Sequence, residues 1–412
     1  MTAGALRLPA ALPSLTAYGF KTYSLIAALV IYALAGTPTP DNPGWIEVVI
    51  GALLILAVGV SGVYNALNTP LNAPAWQKYG RYLLCFGVFV SFLMSLLQNN
   101  DVNMAFRDIF SFVFMLFPLF LTFLWQNKQA KPQFFIFLTV FIGVCFAIRA
   151  ILPLGADGWL AFLTSPGLHY FANLPTVLFS ALFLSGSFIV MAAGVVEKRR
   201  ILPALALLGF AVIPFTAMAI SLQRATIGAS CLYLAAILLY AFARRPYRAV
   251  IPCAMIAALA LALWPLLSEL GLALEAKSAA VGLNMRWQEA QAVWEVVSGN
   301  SLTFLFGMGW GATFHSPAVA GVNVNFTHSL ITAMLLKTGL CGLFLTLFYL
   351  AALGREALRL ALNMPVLGLA LAAPILINVL LYASYKSLDF GIVLLLIPLS
   401  VQVMQTWAPR KS

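Results

Sequence analysis

Lys198-Arg199-Arg200, then ILPALALLGFAVIPFTAMAISL over 201–222, then Gln223-Arg224-Ala225, then TIGASCLYLAAILLYAFA over 226–243, then Arg244-Arg245-Pro246-Tyr247-Arg248: this stretch alternates basic clusters with apolar runs and sets one arginine between the runs. As a helix, each run is long enough to cross a hydrocarbon core about 30 Å thick. Lys and Arg concentrate in loops on the cytoplasmic side. Both clusters are therefore assigned inside, and Arg224 outside.

Working outward, the same reading gives twelve spans: 20–36, 45–67, 81–98, 105–125, 132–152, 174–196, 201–222, 226–243, 249–267, 328–350, 365–384 and 388–407. One orientation satisfies every strong basic cluster, Arg355 with Arg359 and Arg410-Lys411 included, and leaves both termini cytoplasmic. The expected class is an all-α integral membrane protein, a single multi-pass domain over 1–412. Composition agrees, with 62% hydrophobic and 8% charged residues and a mean hydropathy of +0.97. Soluble domains carry about 25% charged residues. Continuous runs also exclude a β-barrel, whose strands alternate. No cleavable signal peptide is expected, because the first run lacks a small-residue cleavage pattern and is followed by another span.

The net charge of +11 sits in the short clusters between runs, so no nucleic-acid partner is expected. Cys85, Cys145, Cys231, Cys253 and Cys341 all fall inside apolar runs and read as small core residues. Neither metal-type spacing nor a nucleotide-binding loop occurs, so no metal or other cofactor is expected. The outward acids, among them Asp108, Glu289 and Asp389, are scattered without a shared motif.

The orientation leaves Arg107, Arg149, Arg224, Lys277, Arg286 and Lys386 outside or at the outer interface, against the bias. Arg107 and Lys386 read as snorkelling side chains that Asp108 and Asp389 can pair. Arg149 and Arg224 lie in apolar surroundings with no acid nearby in sequence, which is costly unless a ligand or a distant side chain answers them. One hydrophilic-leaning segment, 268–327, is expected outside between the ninth and tenth spans. It carries an amphipathic helix over 284–297 in which Trp287, Trp294 and Val297 share a face. Arg286 lies beside that face, with Glu289 three residues on as a surface ion-pair partner. The glycines of Phe306-Gly307-Met308-Gly309-Trp310-Gly311 are expected to let backbone pack closely against the membrane face or a lipid.

Three histidines could do acid–base chemistry. His169 and His315 read as solvated loop residues. His328 is expected to head the helix that re-enters the membrane, where a neutral imidazole can accept a proton. On chemistry alone, a base and a histidine capping the interface stay equally open.

The motif His328-Ser329 with Gly339 and Gly342 following, preceded by the glycine-punctuated 306–311, resembles the O-antigen ligase and O-antigen polymerase superfamily. Gln223-Arg224-Ala225-Thr226 looks like that family's outward mid-chain arginine, and Arg286-Trp287 through Trp294 like the arginine opening the amphipathic part of its large loop. By motif the resemblance covers roughly 200–345. Two positions depart from it: Ser329 stands where Asn is frequent, and Lys337 where an acid is common. The resemblance implies a GT-C-like glycosyltransferase in a bacterial inner membrane, with the loop and active site periplasmic. It implies transfer of a polysaccharide from undecaprenyl pyrophosphate to a sugar hydroxyl of lipid A–core. His328 would be the catalytic base, Arg224, Arg286 and Arg149 the donor pyrophosphate ligands, and Trp287, Trp294 and Ser329 substrate contacts, without metal or nucleotide. The polymerase of the same superfamily is the nearest rival. An oligosaccharyltransferase acting on protein is disfavoured by the short sequence after the twelfth span. A polyprenyl-glycan transporter is the reading from a different class.

Overall fold

A chain segment in lipid must satisfy its own backbone hydrogen bonds, and long apolar runs do so as helices. The computed structural model describes residues 19–38, 44–70, 72–126, 131–152, 171–195, 201–281, 285–319 and 321–407. His169, the basic cluster 198–200 and Arg410-Lys411 lie outside the described residues. The helices are α1 (Phe20–Ala35), α2 (Trp45–Leu67), α3 (Ala75–Leu97, with a π-helical turn at Phe86–Ser91), α4 (Val102–Met115), α5 (Phe117–Phe120), α6 (Phe123–Gln126) and α7 (Pro132–Ile151). They continue with α8 (Pro175–Ala192), α9 (Ile201–Ile220), α10 (Arg224–Arg244), α11 (Pro246–Ala262), α12 (Trp264–Val281), α13 (Arg286–Val297) and α14 (Ser301–Phe306). A two-stranded antiparallel hairpin, β1 (Phe314–Ser316) and β2 (Val322–Val324), precedes α15 (Leu330–Asn363), α16 (Pro365–Leu380) and α17 (Leu388–Trp407).

Seven helices are long and apolar enough to cross a membrane, and α11 with α12, bent by 74°, makes an eighth candidate. Three shorter apolar helices, α1, α16 and the Leu388–Gln402 part of α17, lie where further spans are expected. The expected span 105–125 is broken into α4, α5 and α6, because Pro118 has no N–H to continue the ladder of α4. The expected span 328–350 is longer at its far end. Its helix runs on to Asn363 and carries Arg355 and Arg359 on its continuation, with Glu356 and Arg359 paired at 2.7 Å.

The axis of the bundle is α8, of which 89% is enclosed, against 22% for α2. Packed around it are α7, α9, α10, α16 and α17. Gly143 of α7 permits one close approach, since a Cβ there would fall 2.1 Å from the Thr176 carbonyl oxygen. Asp389 at the head of α17 does not pair with Lys386. It is fully buried and accepts hydrogen bonds from the Tyr32 and Thr176 hydroxyls, tying α1, α8 and α17 together.

Candidate functional site

The site is built around a break in α15. At Gly339 the backbone leaves the helical region (φ 62°, ψ −166°), which frees the carbonyls of the preceding turn. The N–H groups of Met308 and Gly309 donate to the freed Leu336 and Lys337 carbonyls at 2.8 and 3.1 Å. This approach requires glycine on both sides. A Cβ on Gly307 would sit 2.5 Å from the Gly339 nitrogen, and one on Gly339 would sit 2.4 Å from the Gly307 nitrogen. Ser95 and Asn100 hold the Trp310 carbonyl from the other side at 2.7 and 2.9 Å, and the Trp310 indole donates to the Gly87 carbonyl at 2.8 Å. The glycines thus pack against the backbones of α3, α4 and α15, and the loop N–H groups that bond these partners are committed to the protein.

Beside this loop is a buried ion pair between residues far apart in sequence. Lys337 pairs with Asp108, which also accepts the Gly311 N–H at 2.8 Å. Lys386 stands 3.8 Å from the second oxygen of the same carboxylate. The acid that answers Lys386 is therefore Asp108 on α4, not Asp389.

On this anchored frame sits α13. Its inward stripe is Glu289, Val293 and Val297, and the two valines pack with Ala312, Phe314, Leu335 and Leu336. Val297 belongs to this stripe, not to the Trp287–Trp294 face. Trp287 is 79% exposed, and the half-exposed Trp294 meets Phe304 edge-on at 5.5 Å. Glu289 is not a surface partner of Arg286. It is buried, and its two oxygens close on the turn before α15: Oε1 accepts the His328 N–H at 2.7 Å, and Oε2 lies 2.6 Å from His328 Nδ1. The Ser316 hydroxyl donates to Oε2 at 3.2 Å. Burial pushes the Glu289 carboxyl up, but the hydrogen bonds from His328 outweigh it and hold it below the usual carboxylate range. The Glu289 carboxylate facing Nδ1 favours the tautomer with its proton there, in which Nε2 carries the lone pair.

His328 does not head the helix. Ser329 is the N-cap, its Oγ accepting the Thr332 N–H at 3.1 Å, and His328 precedes it with its side chain 28% exposed. The expected substrate contact at Ser329 is thus already engaged in capping.

Arg286, one helical turn before Glu289, stacks over the Tyr382 ring at 5.5 Å and lies within electrostatic reach of Arg224. Tyr382 lies within electrostatic reach of Arg286, Arg224 and the Ala225 backbone at the head of α10, so that helix end, Tyr382 and both arginines form one cluster. Burial, and after it the neighbouring Arg224 charge, depresses the Arg286 guanidinium. Its Nε is buried and, among the described residues, finds no acceptor. The Glu289 carboxylate one turn on offsets part of this paired positive charge, and guanidiniums so placed suit a phosphate or carboxylate.

Arg149 belongs elsewhere. It lies over Phe146 and Phe171, at 5.2 and 4.5 Å, and donates to the Ala33 carbonyl at 3.2 Å near the end of α1. His315 is exposed on β1 and faces the Gly321 carbonyl at 3.3 Å. The structure therefore gathers Arg224 with Arg286, and joins His328 to the residue that sequence reading missed, Glu289. Its i, i+3 spacing from Arg286 hid it as a surface pair. No protein-family model matches the chain, and no curated protein matches its sequence.

Proposed function

We propose that this protein is an O-antigen ligase: it transfers a polysaccharide from undecaprenyl pyrophosphate to a sugar hydroxyl of lipid A–core. The observation that carries the reading is the Glu289–His328 pair, with Nε2 left basic, one helical turn from the Arg286–Arg224 cluster. The architecture proposed with it has twelve spans and is GT-C-like. It is reached by taking as spans the eight candidates, the three shorter apolar helices and the broken α4–α6 segment. The membrane is the bacterial inner membrane, with both termini cytoplasmic and the site periplasmic.

In this reading His328 Nε2 takes the proton of the acceptor hydroxyl as the oxygen attacks the anomeric carbon. The bond from that carbon to the diphosphate oxygen breaks, and the diphosphate leaves with the bonding electrons. Arg224 and Arg286 answer the charge that develops on it. Glu289 stabilises the imidazolium that forms, as a buried acid does behind any histidine base. Attack opposite the leaving group inverts the anomeric configuration. Two guanidiniums supply the positive charge and the donor supplies the energy, so the reading uses neither metal nor nucleotide. The exposed Trp287 and Trp294 offer faces for sugar or lipid headgroups.

The test is transfer by the purified protein from a polyprenyl-pyrophosphate glycan to lipid A–core, with the anomeric configuration of the product read by NMR. Glycan on lipid A with inverted configuration supports the reading. Lengthening on the polyprenyl carrier would make the protein the polymerase of the same superfamily. Retained configuration would remove His328 as the base of a direct displacement.

A further inference from the structure

Lys337 and Lys386 share a single carboxylate, Asp108, in a region closed to bulk water. Lys337 and Asp108 are nearly inaccessible, and Lys386 alone keeps a partly open side chain, 16% exposed. Asp108 is already committed to Lys337 and to the Gly311 N–H, and it meets Lys386 only at 3.8 Å. The other contacts of the Lys386 ammonium are the Asn325 carbonyl at 3.4 Å and the face of Phe326 at 5.7 Å. Arg107 adds a further positive charge within electrostatic reach. Burial, and next the Lys337 charge, pushes Lys386 down to about 7, the response of a cation that its surroundings undercompensate.

This cation opens on a cleft. Asp108, Ser111, Lys337, Tyr385 and Lys386 line it together with mainly apolar side chains of α4 and α15, and the Ser111 hydroxyl already donates to the Arg107 carbonyl at 3.1 Å. The Tyr385 hydroxyl is buried there beside Thr327 and, among the described residues, closes no hydrogen bond of ordinary geometry. A surplus positive charge and an unused hydroxyl between apolar walls favour an anionic oxygen, because burial limits how far solvent can compensate either. The cleft adjoins the base through one side chain: Phe326 lies under Lys386 and meets the His328 ring edge-on at 5.9 Å. The arginine cluster reaches His328 by a different route, through Glu289 on α13.

We infer that this cleft is an anion subsite in which Lys386, with the Tyr385 hydroxyl, receives a phosphate or carboxylate group of the acceptor whose hydroxyl reaches His328. The inference rests on the proposed transfer for the word acceptor, but the anion site itself is testable without turnover.

The full-length protein in detergent is titrated with inorganic phosphate or with acetate, and its Tm is followed. The background is Arg224→Gln/Arg286→Gln, which silences the other cationic cluster. A saturable rise in Tm that disappears on adding Lys386→Met and survives Lys386→Arg supports the subsite. The stronger of the two anions identifies the group. A rise that is unsaturable, or unchanged by Lys386→Met, overturns it, and the retained-charge variant separates loss of binding from loss of folding. In transfer, Lys386→Met is expected to raise KM about tenfold for an anionic acceptor, as for one lost charge-assisted hydrogen bond. An acceptor lacking the anionic group should show no such rise in KM. Anion binding without any transfer would sink the ligase reading and leave the site, whereas transfer without anion binding would do the reverse.

Discussion

At the scale of single residues, Glu289 and His328 work as one unit. A glutamine at 289 keeps the shape and can accept the His328 N–H, but it carries no charge to stabilise an imidazolium. Glu289→Gln is expected to lower kcat about a hundredfold to ten-thousandfold with little change in donor KM; steady-state transfer kinetics check this. The pair also links stability to pH. The folded Glu289 carboxyl lies below its ordinary range, so its contribution is fully present above the unfolded value. It is lost as pH falls through the folded value. Tm measured downward from pH 6 should therefore fall less steeply in Glu289→Gln than in wild type. Sequence alone singled out Arg224, Arg286 and His328 as candidates, because few polar groups occur in so apolar a chain. It hid Glu289, because helical spacing sees only neighbours on one helix and the partner of Glu289 is 39 residues away. Arg149 shows the same limit of local spacing. An arginine with no acid nearby in sequence finds aromatic faces and a helix-end carbonyl in space.

At the scale of elements, the break in α15 and the glycine loop are one device. Gly339→Ala would force a Cβ to within 2.4 Å of the Gly307 nitrogen at a φ that alanine rarely adopts. A loss of several kcal/mol is expected, read as a large fall in Tm. The Asp108–Lys337 pair fastens α4 to α15 beside that break. Lys337→Met leaves Asp108 with Lys386 3.8 Å away and is expected to destabilise by about 3–5 kcal/mol. Adding Asp108→Asn should recover part of this in a double-mutant cycle. An Lys337→Met variant as stable as wild type would show that the pair carries no such role. The glycine spacing announced tight backbone contact, but its partner could not be read. Lys337 meets an acid 229 positions away, and no local pattern encodes that.

At the scale of the molecule, apolar runs and basic clusters made the helical membrane class readable, since a hydrocarbon solvent leaves few alternatives. Span boundaries were less readable where proline interrupts a run, as at Pro118, or where a helix continues past its apolar part, as in α15. The proposed orientation gives a labelling prediction. A cysteine replacing the exposed Trp287 should react with an impermeant maleimide from the periplasmic side, and one replacing the exposed Tyr247 only after the membrane is opened. The reverse pattern would invert the topology and put the site on the wrong side for a periplasmic transferase.

The most direct test of the central claim is one comparison of wild type, His328→Ala and Glu289→Gln in purified form, measuring turnover and donor binding on the same samples. The account predicts glycan on lipid A–core from wild type, almost none from either variant, and donor binding retained in all three. Turnover preserved in His328→Ala, or donor binding lost together with turnover, would contradict it.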